Sequence, residues 1–248
     1  MASGLPASAP QDGAALPTGT VTFLFTDIEG STQRWDAHRE AMSAAVQRHE
    51  AIVRAAMDAH GGYVFKTVGD AFCVAFARSE AAVAAALDFQ RALLTENFAA
   101  VDGLRVRAAL HTGAADERGG DYFGPAVNRV ARLLSIGHGG QTLLSGVMHD
   151  LVLGALPPQA SLRDLGEHRL KDLSRPEYVY QLVAPELASE FPALRSLESM
   201  DAGRMVLLND NFQLLAACTR EPALRIFGRG RIAHDSFRLT CKALSSKR

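Results

Sequence analysis

Two aspartates stand at the ends of apolar segments, where a carboxylate needs a counterion. Asp27 ends one apolar run, and Asp70 directly precedes the run that starts at Ala71. Both runs are rich in β-branched and aromatic residues, so each carboxylate is expected at the rim of a sheet. Burying an unpaired carboxylate is costly, and a pair of Mg²⁺ ions would balance both charges because Mg²⁺ prefers oxygen ligands. The pattern therefore predicts a two-metal site suited to phosphate chemistry.

A glycine-containing turn follows Asp27 and precedes a helical stretch; its residues are Ile28, Glu29, Gly30, Ser31 and Thr32. Backbone N–H groups at the start of a helix have no partner inside the helix, and they bind anions. The turn is therefore a candidate cradle for a polyphosphate. Glu29 fits such a site, and it fits an ordinary turn or helix-start carboxylate equally well.

Asn128 and Arg132 form a second candidate group. They are four residues apart in a segment with helical periodicity, so they share one face of a helix. Val127, Val130 and Leu134 fall roughly opposite. A lone arginine there would be an ordinary surface residue, but next to an asparagine its planar guanidinium becomes a candidate clamp for phosphate oxygens.

Lys66 and Asp121 complete the set of unusual charged residues. Lysine is scarce in this arginine-rich chain, yet Lys66 lies inside an apolar strand pattern just before Asp70. Taken alone, it is compatible with a solvated edge position or with a role in a site. Asp121 follows a glycine-rich excursion and precedes the segment that carries Asn128.

The spacing of apolar residues predicts the elements that must position these groups. The first is a strand Thr20–Thr26, followed by a long helix that carries the apolar stripe Met42, Val46, Val53 and Met57 and is stopped by Gly61-Gly62. Two strands, Tyr63–Lys66 and Ala71–Phe76, are then joined through Val68-Gly69, and a second helix follows that is capped by Ser79 and has Val83, Leu87, Leu94 and Phe98 at helical spacing. An alternating strand 104–110 and a helix Pro125–Ile136 complete the order. The order predicts an α+β fold with a ferredoxin-like, palm-like βαββαβ core and its helices on one sheet face. Shorter strands within 141–184 add a C-terminal β extension.

Length and composition bound the class of protein. With 248 residues, 48% of them apolar and 21% charged, the chain can bury one full core. The net charge of −1 argues against a protein that coats nucleic acid. The chain has three cysteines without C-x-x-C spacing, which suits a reducing compartment. It also has no apolar run of membrane-spanning length, so we predict a cytoplasmic protein with no membrane partner.

Three segments together resemble the class III nucleotidyl cyclase catalytic domain. They are Phe25–Thr32, Lys66–Asp70 and Gly120–Arg132. Each segment is a weak signal alone, but three in this order and spacing are specific. The resemblance runs from about Gly19 to Leu182, and it is to the bacterial adenylate cyclase type found at the N-terminus of large multidomain regulators.

For the two aspartates, the resemblance implies metal binding. Asp27 and Asp70 would hold two Mg²⁺ or Mn²⁺ ions per site, with the backbone carbonyl of Ile28 as a further metal ligand. The implied activity is that of an adenylate cyclase, which converts ATP to 3′,5′-cyclic AMP and pyrophosphate by a two-metal mechanism.

The other matching residues would bind the substrate. Lys66 and Asp121 would select adenine. Asn128 would orient the ribose, and Arg132 would stabilise the transition state. The head-to-tail homodimer of the family would place the two aspartates of one chain opposite these four residues of the other, so that each dimer has two shared sites.

Composition and the extent of the resemblance together divide the chain into four segments. Residues 1–18 are predicted to be a disordered leader, 19–184 the catalytic domain, 185–199 a linker or closing segment, and 200–248 a basic tail of uncertain structure. From residue 220 onward this tail has eight Lys or Arg residues against two acids.

Three other functions compete with cyclic AMP synthesis. A nucleotide-binding regulatory module with negligible turnover is one, because domains of this type occur within large regulators, and an unidentified regulatory partner is compatible with it. A diguanylate cyclase is another, but its Gly-Gly-Asp/Glu-Glu-Phe signature is missing. A nucleic-acid-binding switch rests only on the basic tail, which makes a weak case.

Overall fold

A computed structural model of the chain describes residues 16–173 and 175–195, together with the backbone of residues 204–208 and 214–219. Most of the predicted leader and most of the predicted basic tail lie outside the described residues, so both remain predictions. The chain divides into one unit that ends at Met200 and another that runs from Asp201 to Arg248. Within the described ranges, no helix has the length and apolar character needed to cross a membrane.

The first unit is built on one mixed sheet, and the second contains a strand pair. In chain order the elements are β1 (Gly19–Ile28), α1 (Ser31–Ala37), α2 (Arg39–Ala59), β2 (Tyr63–Val68), β3 (Ala71–Phe76), α3 (Ser79–Thr95), a 3₁₀ turn (Ala99–Val101), β4 (Val106–Arg118), β5 (Asp121–Phe123), α4 (Pro125–Ile136), β6 (Thr142–Ser145), α5 (Gly146–Val152), β7 (Ser161–His168), β8 (Glu177–Val183), β9 (Arg204–Leu208) and β10 (Leu214–Thr219). The sheet order is β2-β3-β1-β4-β6-β8-β7, with β5 paired to β4. Strands β4 and β6 are parallel, whereas the other neighbours are antiparallel. The predicted α+β fold with a βαββαβ core and a C-terminal β extension is confirmed.

Helices cover both faces of this sheet, whereas the sequence predicted helices on one face only. On one face, α2, α3 and α5 share a core with alternate residues of the central strands, such as Leu24 and Leu110. On the other face, α4 lies against β4: a Cβ atom added to Gly113 would come within 3.0 Å of the Ala126 side chain, so glycine permits the close approach. The prediction was wrong because an apolar stripe shows which side of a helix is buried, not which sheet face buries it.

Strand β4 keeps the predicted alternation only at its start, because five successive residues from Ala108 to Thr112 are buried. A strand that is covered on both faces loses the period-two pattern of a half-buried strand. The buried residues of β4 are Val106, Ala108, Ala109, Leu110, His111 and Thr112.

The ends of helix α3 also differ from the prediction. The helix begins with Ser79 instead of being capped by it, and no side-chain cap bond forms there. It ends at Thr95, so Phe98 is buried beyond the helix, while Leu94 is 59% exposed. Phe98 continues the helical spacing only because the chain after α3 turns back towards the same core.

His49 on α2 is an unusual core residue. Its side chain is fully buried and packs edge-on against Phe72, and neither ring nitrogen has a hydrogen-bond partner among the described residues. Burial lowers the pKa of His49 to about 4, against a smaller opposing effect of Glu50. The pKa of His111 is also lowered to about 4, by burial first and then by the charge of Arg129.

The folded chain should therefore lose stability on mild acidification. Both histidines have a pKa of 6.5 as free side chains and of about 4 in the folded state. Between these pH values the unfolded chain binds more protons than the folded chain, so the free energy of unfolding decreases as the pH falls. The full effect of His49 is about 3 kcal/mol. Urea unfolding at a pH of about 7 and of about 5 should show the loss, and His49→Leu should remove roughly half of it. An unchanged pH dependence in this variant would show that His49 is not the titrating group.

Candidate active site

Asp27 and Asp70 meet at the end of strand β1. Asp27 is the penultimate residue of β1, and Asp70 lies with Gly69 in the turn between β2 and β3, one residue later than the predicted turn. The backbone N–H of Ile28 donates to Asp70 Oδ2 at 3.1 Å and ties the turn to β1. The structure therefore brings the two candidate metal ligands to one place.

The electrostatics of this pair suit a bound cation. The pKa of Asp70 is raised, first by burial and then by the charge of Asp27, against hydrogen bonds that favour the carboxylate. Among the described residues, no group of three or more His, Cys, Asp or Glu side chains could hold a metal. Mg²⁺ often binds through one or two carboxylates, water and substrate phosphates. The pair thus fits such an ion in the presence of a polyphosphate.

Arg107 is a neighbour of the site that the sequence reasoning missed. It lies opposite Asp27 across the β1–β4 pair. Its Nε donates to Asp27 Oδ2 at 2.9 Å, and its Nη2 binds the same oxygen. Arg105 and Arg107 alternate with apolar residues at the start of β4, and this pattern was the available signal. This pattern points to Asp27 as the partner of Arg107 only when it is known that β4 pairs with β1.

The turn after Asp27 leads directly into helix α1. Gly30 has a φ of +67°, a left-handed conformation that favours glycine, and α1 starts at Ser31. Ser31 is buried, and its side chain favours the charged form of the Asp70 carboxyl group, which opposes the rise in the pKa of Asp70. Thr32 is half-buried. The start of α1, with backbone N–H groups that have no partner inside the helix, therefore lies against the carboxylates.

Glu29 is occupied by structural contacts. Its N–H donates to the Arg105 carbonyl at 2.9 Å, and its own carbonyl accepts from Arg34 Nη1 at 2.6 Å. Its carboxylate forms an ion pair with Arg195. Of the two interpretations of Glu29, these contacts favour the turn carboxylate.

Lys66 and Asp121 form an ion pair although they lie far apart in the sequence. Lys66 Nζ donates to Asp121 Oδ2 at 2.5 Å, and the two side chains are 21% and 27% exposed. Lys66 follows a register irregularity in the β2–β3 pair, and Asp121 is the first residue of β5. The ion pair therefore holds a hydrogen-bond donor, the Lys66 ammonium group, beside an acceptor, the Asp121 carboxylate.

Helix α4 presents Asn128 and Arg132 away from its buried side. The buried residues of α4 are Ala126, Val127, Val130, Leu133 and Leu134. Arg132 Nη2 donates to Asp172 Oδ2 at 2.9 Å in an exposed ion pair. The Asn128 side chain makes no hydrogen bond to any described residue.

The candidate residues thus fall into three groups within one chain. The carboxylate pair with its turn is one, the Lys66–Asp121 pair is another, and the outer face of α4 is the third. In the described part of the chain, no hydrogen bond or ion pair joins one group to another.

Known proteins match most of this chain. A family model described as the adenylate and guanylate cyclase catalytic domain matches residues 14–183. An uncharacterized protein of Mycobacterium tuberculosis is 44% identical over 185 residues, which cover 74% of this chain and 62% of that protein. A receptor-type adenylate cyclase of Trypanosoma congolense is 32% identical over 235 residues, covering 78% of this chain and 31% of that protein. The chain therefore spans less than two thirds of the length of these relatives.

Solved structures share the fold. An adenylate cyclase of Trypanosoma brucei, solved in its monomeric state, has a TM-score of 0.65 and 32% identity, covering 76% of this chain and 97% of that chain. The guanylate cyclase domain from Catenaria anguillulae, solved with GTP, has a TM-score of 0.59 at 22% identity, covering 68% and 99%, and shows the fold alone. The family model matches more than half of this chain, and the chain therefore belongs to the class III adenylate/guanylate cyclase family.

Proposed function

We propose that this nucleotidyl cyclase domain is an adenylate cyclase, which converts ATP to 3′,5′-cyclic AMP and pyrophosphate with two Mg²⁺ or Mn²⁺ ions per site. The observation that carries the proposal is the Lys66–Asp121 pair, in a domain that also brings Asp27 and Asp70 together. Relatives named as adenylate cyclases support the same choice of substrate.

Base selection follows from the donor and acceptor at this pair. Adenine offers an acceptor at N1 and a donor at its amino group, which Lys66 and Asp121 complement. Guanine reverses both groups, so it would leave polar atoms without partners in a half-buried site. Asp121 also accepts from the Tyr122 N–H at 2.8 Å, which fixes the carboxylate for this task.

Asp27 and Asp70 are the residues that would hold the metal ions. When bound, these ions would lower the pKa of the ribose 3′-hydroxyl and offset the charge of the departing pyrophosphate. The N–H groups at the start of α1, from Ser31 to Gln33, would donate hydrogen bonds to phosphate oxygens beside them. Arg107 keeps Asp27 in place by binding Oδ2.

Arg132 and Asn128 would act on the reacting part of the nucleotide. The Arg132 guanidinium would bind the oxygens of the α-phosphate, where charge develops in the transition state. Its present partner, Asp172, is exposed, and such pairs contribute only about 0–1 kcal/mol. Phosphate oxygens can therefore replace that carboxylate at little cost. The free amide of Asn128 would orient the ribose.

A two-fold homodimer would unite the three groups of residues. Their lack of direct contacts within one chain supports a site in which Asp27 and Asp70 of one chain face Lys66, Asp121, Asn128 and Arg132 of the other. Such isologous pairing is the commonest oligomer geometry.

One assay tests the proposal directly. Purified protein is incubated with ATP or GTP and with Mn²⁺ or Mg²⁺, and the cyclic product is quantified. Cyclic AMP from ATP is the expected result. Preferential formation of cyclic GMP would overturn the choice of base, and nucleotide binding without product would favour the regulatory module.

Reversing the hydrogen-bond pattern should shift the choice of base. In Lys66→Glu/Asp121→Cys, the ratio of kcat/KM for ATP to that for GTP should fall by roughly a hundredfold or more, because mismatched polar groups are strongly rejected. If turnover is too slow, competition between ATP and GTP for binding gives the same comparison.

The matched control for this variant is Arg118→Glu/Asp116→Cys, which alters an exposed ion pair on the neighbouring part of β4. It should leave the ratio unchanged. An unchanged ratio in the Lys66/Asp121 variant would mean that these residues do not read the base.

A further inference from the structure

Helix α4 is joined to strand β8 by an ion pair that the proposed chemistry does not use. Arg129 Nη1 binds Glu177 Oε2, and Glu177 is the first residue of β8. The Glu177 side chain is only 6% exposed, while that of Arg129 is 35% exposed. A buried carboxylate of this kind depends on its partner, because an unpaired charge there is strongly unfavourable.

Arg129 lies between the two residues that α4 presents outward. It follows Asn128 directly in the sequence, and Arg132, three positions further on, is a neighbour of both residues on the helix surface. A rotation or slide of α4 that broke the Arg129–Glu177 contact would therefore move Asn128 and Arg132 as well.

The apolar side of α4 does not by itself define one position for the helix. It consists of alanine, valine and leucine side chains, and such contacts can be made in several registers. A buried polar pair discriminates between registers because only one of them satisfies both charges. The close approach of Ala126 to Gly113 limits the distance of α4 from β4, but it does not limit rotation about the helix axis.

The surface beneath α4 contains further polar groups that restrict where Arg129 can go. His111 on β4 is buried and shares a hydrogen bond with Ser145 Oγ at 2.8 Å. The Arg129 charge contributes, after burial, to the lowered pKa of His111. A neutral, hydrogen-bonded imidazole offers no counter-charge, so Glu177 alone balances Arg129 among the described residues.

We propose that Glu177 is a positioning residue that acts through Arg129: the pair sets the rotation of α4 so that Asn128 and Arg132 face the nucleotide. The inference rests on the proposed cyclase function for its catalytic consequence. Its structural content, the register of α4, can be measured without turnover.

The test replaces both charged residues at once, in Arg129→Met/Glu177→Leu. Apolar replacement of a buried pair is often neutral for stability, whereas removal of one partner is destabilising. The double variant should therefore unfold near the wild-type urea midpoint. Its kcat should fall by roughly tenfold to a hundredfold, because a small misplacement of catalytic groups has an effect of this size. The KM for ATP should change by less than about threefold, since Lys66 and Asp121 are unaffected.

Amide hydrogen exchange gives the second readout. Residues 126–136 should exchange faster in the double variant, while the rest of the sheet keeps its protection. The matched control is Arg48→Met/Glu96→Leu, which removes a more exposed ion pair away from α4. This control should change neither kcat nor the exchange of α4.

Each outcome decides between positioning and simple stabilisation. If the double variant unfolds at the wild-type urea midpoint and also keeps the wild-type kcat, the pair is only structural and the proposal is overturned. If the double variant does not fold, Glu177→Gln replaces it, and an unchanged kcat and α4 exchange in Glu177→Gln overturn the proposal. If the wild-type protein forms no cyclic nucleotide, the proposed function fails, and exchange of α4 alone then decides whether the pair sets its register.

Discussion

Replacing Asp27 or Asp70 with alanine should abolish cyclic AMP formation while the chain stays folded. Each change removes one of the two carboxylates that would hold the metal pair, and the triphosphate then loses its charge compensation. At saturating Mn²⁺, activity should fall by at least about a hundredfold, the effect of losing a key electrostatic contact. The control Asp116→Ala alters an exposed carboxylate and should keep full activity.

Metal binding provides a readout that does not depend on turnover. Electron paramagnetic resonance of Mn²⁺ in the presence of a non-cyclisable ATP analogue should show weaker binding in both variants than in the wild type. Substantial activity in either alanine variant, or wild-type Mn²⁺ affinity, would contradict the two-metal assignment.

The same two variants should differ in stability. The pKa of Asp70 is raised in the folded state, so its charge opposes folding at neutral pH, and Asp70→Ala should unfold at the wild-type urea midpoint or above it. Asp27→Ala leaves the half-buried Arg107 without its partner, which should cost about 1–3 kcal/mol. A lower midpoint for Asp70→Ala than for Asp27→Ala would contradict this explanation.

Mixing two inactive variants should restore activity. Asp70→Ala and Arg132→Ala would each be inactive alone. In a mixed dimer, one site would carry both defects and the other would carry neither. With free exchange about half of the dimers are mixed, so the rate should recover to about a quarter of the wild-type rate per chain. The measurement is cyclic AMP formation after subunit exchange.

A different pairing controls for this result. Asp27→Ala mixed with Asp70→Ala should not recover, because both residues belong to the same half of a shared site and every site keeps one defect. Failure of the Asp70→Ala and Arg132→Ala mixture, with subunit exchange confirmed by mass spectrometry of tagged chains, would mean that each site is built within one chain.

The sequence by itself determined the elements and the residues that they present. The apolar runs around Asp27 and Asp70 placed both carboxylates at strand ends, and the periodicity of α4 put Asn128 and Arg132 opposite its buried side. These features depend on neighbours within a few residues, since a strand alternates its side chains and a helix repeats them every three to four residues. For the same reason, the order of strands and helices was enough to predict the α+β core.

Only the tertiary structure decided which charged residues meet. The pair Lys66–Asp121 joins residues that are 55 positions apart, Asp27–Arg107 joins residues 80 apart, and Glu29–Arg195 joins residues 166 apart. None of these contacts follows from local spacing, because each depends on the order of strands in the sheet or on the path of the chain beyond it.

The face on which α4 packs was decided in the same way. Its apolar stripe is the same on either side of the sheet, and Gly113 acquires its role only when Ala126 comes to lie against it. Local periodicity therefore specifies what each element can bury and present. The sheet order and the packing of α4 specify which of those groups come together, because they involve residues that no local pattern connects.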